Sequence, residues 1–440
     1  MGKMMKYNLE ATDENIMESI KQNTYRRIEY VKGFIEAIDL IDSNMFISLD
    51  AKWGEGKTFY IRQIEMTLKY LYLKKIGSDV SGLENVFEKS SLNNISLQSI
   101  CLPIYYNSWL YDYHTDPLLS LLFVIVKQCG KYISTTFDSK SIADKIFSIC
   151  TSFSLSTLKG QVALDLQKVK DSFQGKDILQ DIKTAEEIRE IIKLILDEVI
   201  NENAQKLVIF IDELDRCKPS YAIELLERIK HYFDDERIIF IASLNKEQLV
   251  HTISKYYGSS FDSTGYLNRF FDYNMYLPDI PNYCKEEIFE TKEEQYFLKE
   301  IVRELSEYYR LTLRDSIIFQ QKMEAGLKEY CIDYTAQGCM LSVFVPIIQV
   351  LDIVSQSEKR KFMQGDDTVL WELFNNISSL NKLACRFGKT QLKTSESFNE
   401  GFEEIKNLYE WIFGNKKDYI GRLDVSADLK NVCIKVCNGF

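Results

Sequence analysis

Residues 45–65 read MFISLDAKWGEGKTFYIRQIE. A short apolar run, Met45 to Leu49, passes into a glycine-containing turn, and helical periodicity resumes from Thr58 to Leu73. Strand, turn and helix in that order form the setting of a phosphate-binding loop. Such a loop aims backbone N–H groups at phosphate oxygens, so the chain needs small residues where it bends, and Gly54 and Gly56 supply them. Lys57 is spaced to reach β- and γ-phosphates, and Thr58 to set its hydroxyl on Mg²⁺. The following helix adds the positive end of its dipole. Ala51, Lys52, Trp53, Glu55 and Phe59 complete the candidate nucleotide-binding residues. Ala51 stands where the pattern G-x-x-x-x-G-K-[ST] has its first glycine. That position opens the loop and does not face the phosphates, so one methyl is expected to be tolerated. The plain alternative is a Gly-rich turn with a chance lysine.

A second stretch, KLVIFIDELD from Lys206 to Asp215, reads as a buried strand ending in acids. It places Asp212 at the carboxyl edge of a parallel strand, where ligands of such sheets bind. Asp212 would then hold Mg²⁺ through water, and Glu213 would act as general base on the attacking water. Alone, the run also fits a strand ending in a solvated acidic turn; paired with the loop at Lys57, it reads as the other half of one site. A third run, RIIFIASLN from Arg237 to Asn245, is another buried strand. Asn245 or Ser243 at its end would suit a γ-phosphate sensor, and Asn245 equally suits the cap of a helix starting near Lys246.

Around these runs the pattern predicts a helix over Asp13–Leu40, a polar loop over Ser78–Ser99 and a strand over Ile100–Trp109. Helices are expected from Pro117, over Ala185–Ile200 and over Ser220–Phe233, with a fifth strand at Tyr273–Leu277 closed by Pro278. Lys131–Thr184 reads as a polar insertion. Strands alternating with helices argue for an α/β fold with a parallel sheet covered on both faces. After Pro281 the signal is helical, which divides the chain into a nucleotide domain over 1–285, with its insertion at 131–184, and a helical lid or C-terminal domain over 286–440.

The 440 residues carry a net charge of −11, so no global basic footprint marks a nucleic-acid binder. The basic run CRFGKTQLK, Cys385 to Lys393, reads as a solvated face. Ten cysteines are scattered without a C-x-x-C pair, and the three histidines lie away from zinc-ligand spacing. Cys433 and Cys437 share a helix face and read as buried thiols. The apolar run PLLSLLFVIV, Pro117 to Val126, is about half the length a bilayer requires. With a polar N-terminus, these features point to a cytoplasmic chain without a membrane span.

WGEGKT with Trp53, the segment YYNSWLYD with Tyr106 to Trp109, the run DELDRCKP and the stretch GYLNRFFDYNMYLP together resemble the KAP family of P-loop NTPases, within the class that carries an additional strand and a catalytic Glu. The resemblance runs from about Asp13 to Pro278, with a weaker continuation through LTLRD at Leu311 to Asp315. It implies a three-layer P-loop sandwich with sheet order 5-1-4-3-2, a helical lid, and hydrolysis of ATP with Mg²⁺. It also implies Arg269 as a finger reaching a neighbouring subunit's nucleotide, hence a homo-oligomer, and Arg314 as a second sensor from the lid. For either arginine, an ordinary salt bridge is the plain alternative. Ala51 departs from the family pattern, as do Tyr106 in place of Phe and Asn245 in place of an Asp common among relatives. Many relatives carry membrane helices between the two nucleotide motifs; here that interval is too polar to span. Bacterial relatives recur in antiviral defence beside a separate effector, which implies a protein partner. The chain itself shows no nuclease, deaminase or protease constellation. A non-hydrolysing ATP scaffold, a P-loop kinase and a nucleic-acid motor are the other readings; Glu213 speaks against the first, and the acidic total against the last.

Overall fold

The structure is a computed structural model. It describes residues 10–132, 185–280, 296–327, 336–388 and 394–437, apart from Lys89, 201–203, Asp424 and Ser426. The chain divides into a unit from Glu10 to Asp279 and a second unit from Ile280 onward. The insertion at 131–184 lies outside the described residues from 133 on, as do residues 389–393 of the basic run.

The first unit is built on five parallel strands: β1 Met45–Asp50, β2 Cys101–Asn107, β3 Lys206–Asp212, β4 Ile238–Leu244 and β5 Tyr273–Tyr276. Their order is β2-β3-β4-β1-β5, which read from the other edge is the expected 5-1-4-3-2. Period-two alternation splits each central strand between two cores. On β3, Leu207, Ile209 and Ile211 enter one core with α6 (Pro117–Tyr132), α7 (Ala185–Ile200) and α8 (Pro219–Tyr232). Val208 and Phe210 enter the other, with α1 (Asp13–Gln22), α2 (Ile28–Asp39) and α3 (Lys57–Lys75). Burial on both faces is why these strands are continuous apolar runs and not alternating ones.

Two expectations are corrected. The helix predicted over Asp13–Leu40 is two helices, because Asn23 turns left-handed with φ 50° and its N–H closes the end of α1. Asparagine tolerates this conformation better than other non-glycine residues. The loop predicted over Ser78–Ser99 contains a helix, α4 (Ser81–Phe87), whose Phe87 is buried and stacks on Tyr70 at 4.4 Å. That tertiary burial, and not local periodicity, stabilises so short a helix.

In the second unit, α13 (Ala336–Val354) is buried along most of its length by Met340, Leu341, Val343, Phe344, Val345, Ile347, Ile348, Val350 and Leu351. Helices apolar on most sides form the centre of a bundle. Around it pack α11 (Tyr296–Tyr308), α12 (Leu313–Leu327), α14 (Gln356–Met363) and α18 (Ala427–Cys437). Among the described residues no helix is long and apolar enough to cross a membrane.

Candidate active site

The strand register lines up Asn107, Asp212, Ser243 and Leu49 in one row at the carboxyl edge of the sheet. The phosphate loop leaves β1 just beyond this row. Gly54 and Gly56 both hold φ 85°, the left-handed backbone that only glycine adopts without cost. Ala51 has no such φ, packs against the core and donates its N–H to the Leu244 carbonyl at 3.3 Å. A methyl is therefore compatible with that position. The helix opens at Lys57, one residue earlier than its apolar periodicity indicates.

Lys57 Nζ donates to the Ala51 carbonyl at 2.6 Å and to the Lys52 carbonyl at 3.0 Å, so the loop folds over its own lysine. Burial draws the Lys57 pKa below the ordinary lysine value, against the opposing pull of Asp215, Asp212 and Asp50. Trp53, 46% exposed, donates its indole N–H to Asp215 in a close contact that ties the loop to the turn after β3. Lys52 is exposed, Thr58 and Glu55 are half-buried, and Phe59 packs on the core.

Asp212 is 1% exposed. Burial raises its pKa, while Tyr105, Thr58, Ser243 and the Glu213 N–H all favour its ionised form. Ser243 Oγ is buried beside it without a full hydrogen bond. A carboxylate and two hydroxyls form a hard oxygen set, and with an unsatisfied buried oxygen among them they fit Mg²⁺. Glu213 follows in a left-handed backbone with φ 59°. Asn107 Nδ2 lies 3.3 Å from its Oε2, and Arg216 pairs with its Oε1 at 2.9 Å. Burial raises the Glu213 pKa, with Arg216 pulling the other way.

Asn245 caps α9 (Lys246–Tyr257), its Oδ1 accepting the Gln248 N–H at 3.2 Å. Arg269 is exposed and makes no ion pair among the described residues. It follows α10 (Ser263–Asn268) and precedes β5, at the amino edge of the sheet, a strand's length from its own phosphate loop. Arg314 is exposed on α12 of the second unit.

Several residues escaped the reading of motifs. Arg27, 4% exposed, donates to the Glu55 carbonyl and to the Pro278 carbonyl, both at 3.0 Å, and so joins the phosphate loop to the segment after β5. Arg27 stands at the start of α2, after the turn that Asn23 opens. Tyr106, at the family's Phe position, uses its hydroxyl on Tyr221 inside the core. Asn107, Trp109 and Arg216 were visible as motif letters, without their target.

A family model described as the KAP family P-loop domain matches residues 27–329. The chain belongs to the KAP family. Its P-loop domain is a nucleotide-binding one, and the match begins at Arg27, the residue that holds the loop from behind. Among curated proteins none matches the chain.

Proposed function

We propose that this KAP protein is a Mg²⁺-dependent ATPase whose nucleotide cycle drives a conformational switch. The supporting observation is the convergence of Lys57, Asp212 and Glu213 at one sheet edge, beside a loop with two left-handed glycines. In this reading, loop N–H groups hold the phosphates, and Lys57 exchanges its two carbonyl partners for β- and γ-phosphate oxygens. Thr58 and Asp212 would hold Mg²⁺, which supplies charge neutralisation between the phosphates. Glu213 accepts a proton from the water that attacks the γ-phosphorus; the bond to the β-phosphate oxygen breaks, leaving ADP and phosphate. Asn245 reads the γ-phosphate through its amide N–H₂, its oxygen being engaged in the helix cap.

Arg269 acts from a neighbouring copy, since a residue at the amino edge does not meet a nucleotide at the carboxyl edge of its own sheet. Arginine fingers are worth on the order of 10³ to 10⁵ in rate, so assembly is the regulated step. Arg314 serves as the second sensor. By family analogy, the switch belongs to bacterial antiviral defence and acts on a separate effector protein. Phosphate release from ATP across a protein concentration series, with Glu213→Gln beside it, tests the enzymatic reading. Turnover that rises with concentration and vanishes in the variant supports it. Bound ATP without turnover at any concentration favours a nucleotide-holding scaffold, a reading that fits Asn107 and Arg216 engaging both Glu213 oxygens. Phage challenge with Lys57→Ala tests the defence role: protection equal to native sinks its ATP-dependent form.

A further inference from the structure

The strand β2 supplies a side chain to the candidate metal site that its motif letters do not announce. Tyr105 Oη donates to Asp212 Oδ2 at 2.8 Å. Alternation along β2 turns Tyr105 and Tyr106 to opposite faces, Tyr106 joining the core while Tyr105 meets the acid. Asp212's other oxygen, Oδ1, accepts the Glu213 N–H at 3.0 Å. The two donors therefore grip the carboxylate from both sides and set its plane.

The ring that carries the hydroxyl is itself held. The Arg62 guanidinium lies 4.4 Å over the Tyr105 ring centroid. Arg62 sits one turn along α3 from Thr58, pairs with Glu65 at 2.9 Å and bonds Asp13 of α1. A cation stacked on one face and fixed by two carboxylates keeps the ring from swinging away. On β2, the Tyr105 N–H and carbonyl are also bound by the Gln128 side chain, at 3.1 and 2.7 Å. Backbone, ring and hydroxyl are thus all fixed, in a site where Asp212 is too buried for water to replace a lost donor.

We propose that Tyr105 is a positioning residue that orients Asp212 for Mg²⁺, a role that rests on the nucleotide reading above. It acts on the metal through Asp212 and does not touch it. Outer partners of metal-ligating groups are typically worth 10- to 100-fold in metal affinity.

Phenylalanine at 105 keeps the ring, the Arg62 contact and the strand pairing, and removes the hydroxyl alone. ATP binding to native protein and to Tyr105→Phe is titrated with Mg²⁺, followed by Tm and by tryptophan emission, Trp53 lying in the loop. The expected result is an Mg²⁺ midpoint raised about 10- to 100-fold, with ATP affinity in excess EDTA unchanged and the metal-free Tm lowered, as a buried acceptor left without its donor requires. An unchanged midpoint overturns the role, and so does a lowered metal-free Tm with the midpoint unmoved, which makes the hydroxyl structural. Native protein whose ATP binding ignores Mg²⁺ overturns the underlying reading as well, and is told apart because the native chain itself fails.

Discussion

Arg216 pairs with Glu213 at 2.9 Å, three residues back along the same turn, and its guanidinium also lies 5.6 Å from the ring centroid of Trp109. With Asn107 on the other carboxylate oxygen, the proposed base is engaged on both sides. Burial holds the Glu213 pKa above the ordinary carboxylate value, and Arg216 pulls against that, lowering its basicity. Removing Arg216 should therefore free the base. For Arg216→Ala we expect turnover at saturating ATP to rise roughly 3- to 10-fold, measured as single-turnover phosphate release. A fall to the level of Glu213→Gln would instead give Arg216 a direct part in the reaction.

The bond from Trp53 to Asp215 is the link between loop and turn. Trp53→Phe keeps the aromatic surface and deletes the donor. Its half-exposed setting limits the loss to about 1 kcal/mol, roughly fivefold in ATP affinity. Equilibrium binding measures it. In the double variant with Asp215→Asn the two effects should fall short of adding, as expected of residues in contact.

Acid sensitivity is expected in the second unit. Glu404, on α17 (Ser395–Ile412), is 6% exposed, and its burial alone would raise its pKa. The Tyr419 hydroxyl and the N–H groups of Arg422 and Leu423 outweigh that and depress it. A carboxylate depressed in the folded state stabilises fully above its unfolded pKa and loses that contribution as pH falls through the folded one. Native protein should therefore lose its Tm advantage over Glu404→Gln as pH drops below about 4.3. An advantage constant from neutral pH to acid would refute the charge argument.

Gly401 of α17 faces the backbone of α16 (Ser378–Phe387), and a Cβ there would meet the Ala384 carbonyl well inside contact distance. Backbone cannot yield as a side-chain tip does. Gly401→Ala is expected to destabilise by about 1–3 kcal/mol or more, read by denaturant unfolding. A neutral result would mean that the two helices part without cost.

Much of the candidate site was legible because the pattern that marks it is local. Gly54 and Gly56 mark a bend, Lys57 and Thr58 open the helix after it, and Asp212 ends an apolar run. All five strands were visible as well, the central ones because burial on both faces makes them mainly apolar runs. The helix α4 was not, since Phe87 gains its stability from Tyr70 and not from its own segment. Nor was the break at Asn23, where one residue's left-handed backbone overrides a periodicity that runs on either side of it.

Arg27, Tyr105, Asn107 and Arg216 show the division more sharply. Each was plain in the sequence as a letter, and none declared its partner. Composition and period determine most of the strands and helices, because those depend largely on neighbours two to four residues away. Strand order and register bring Asn107, Asp212 and Ser243 into one row across three strands. Hydrogen bonds act only over about 3 Å, so which donor meets Asp212 or Glu213 was decided only when the sheet closed.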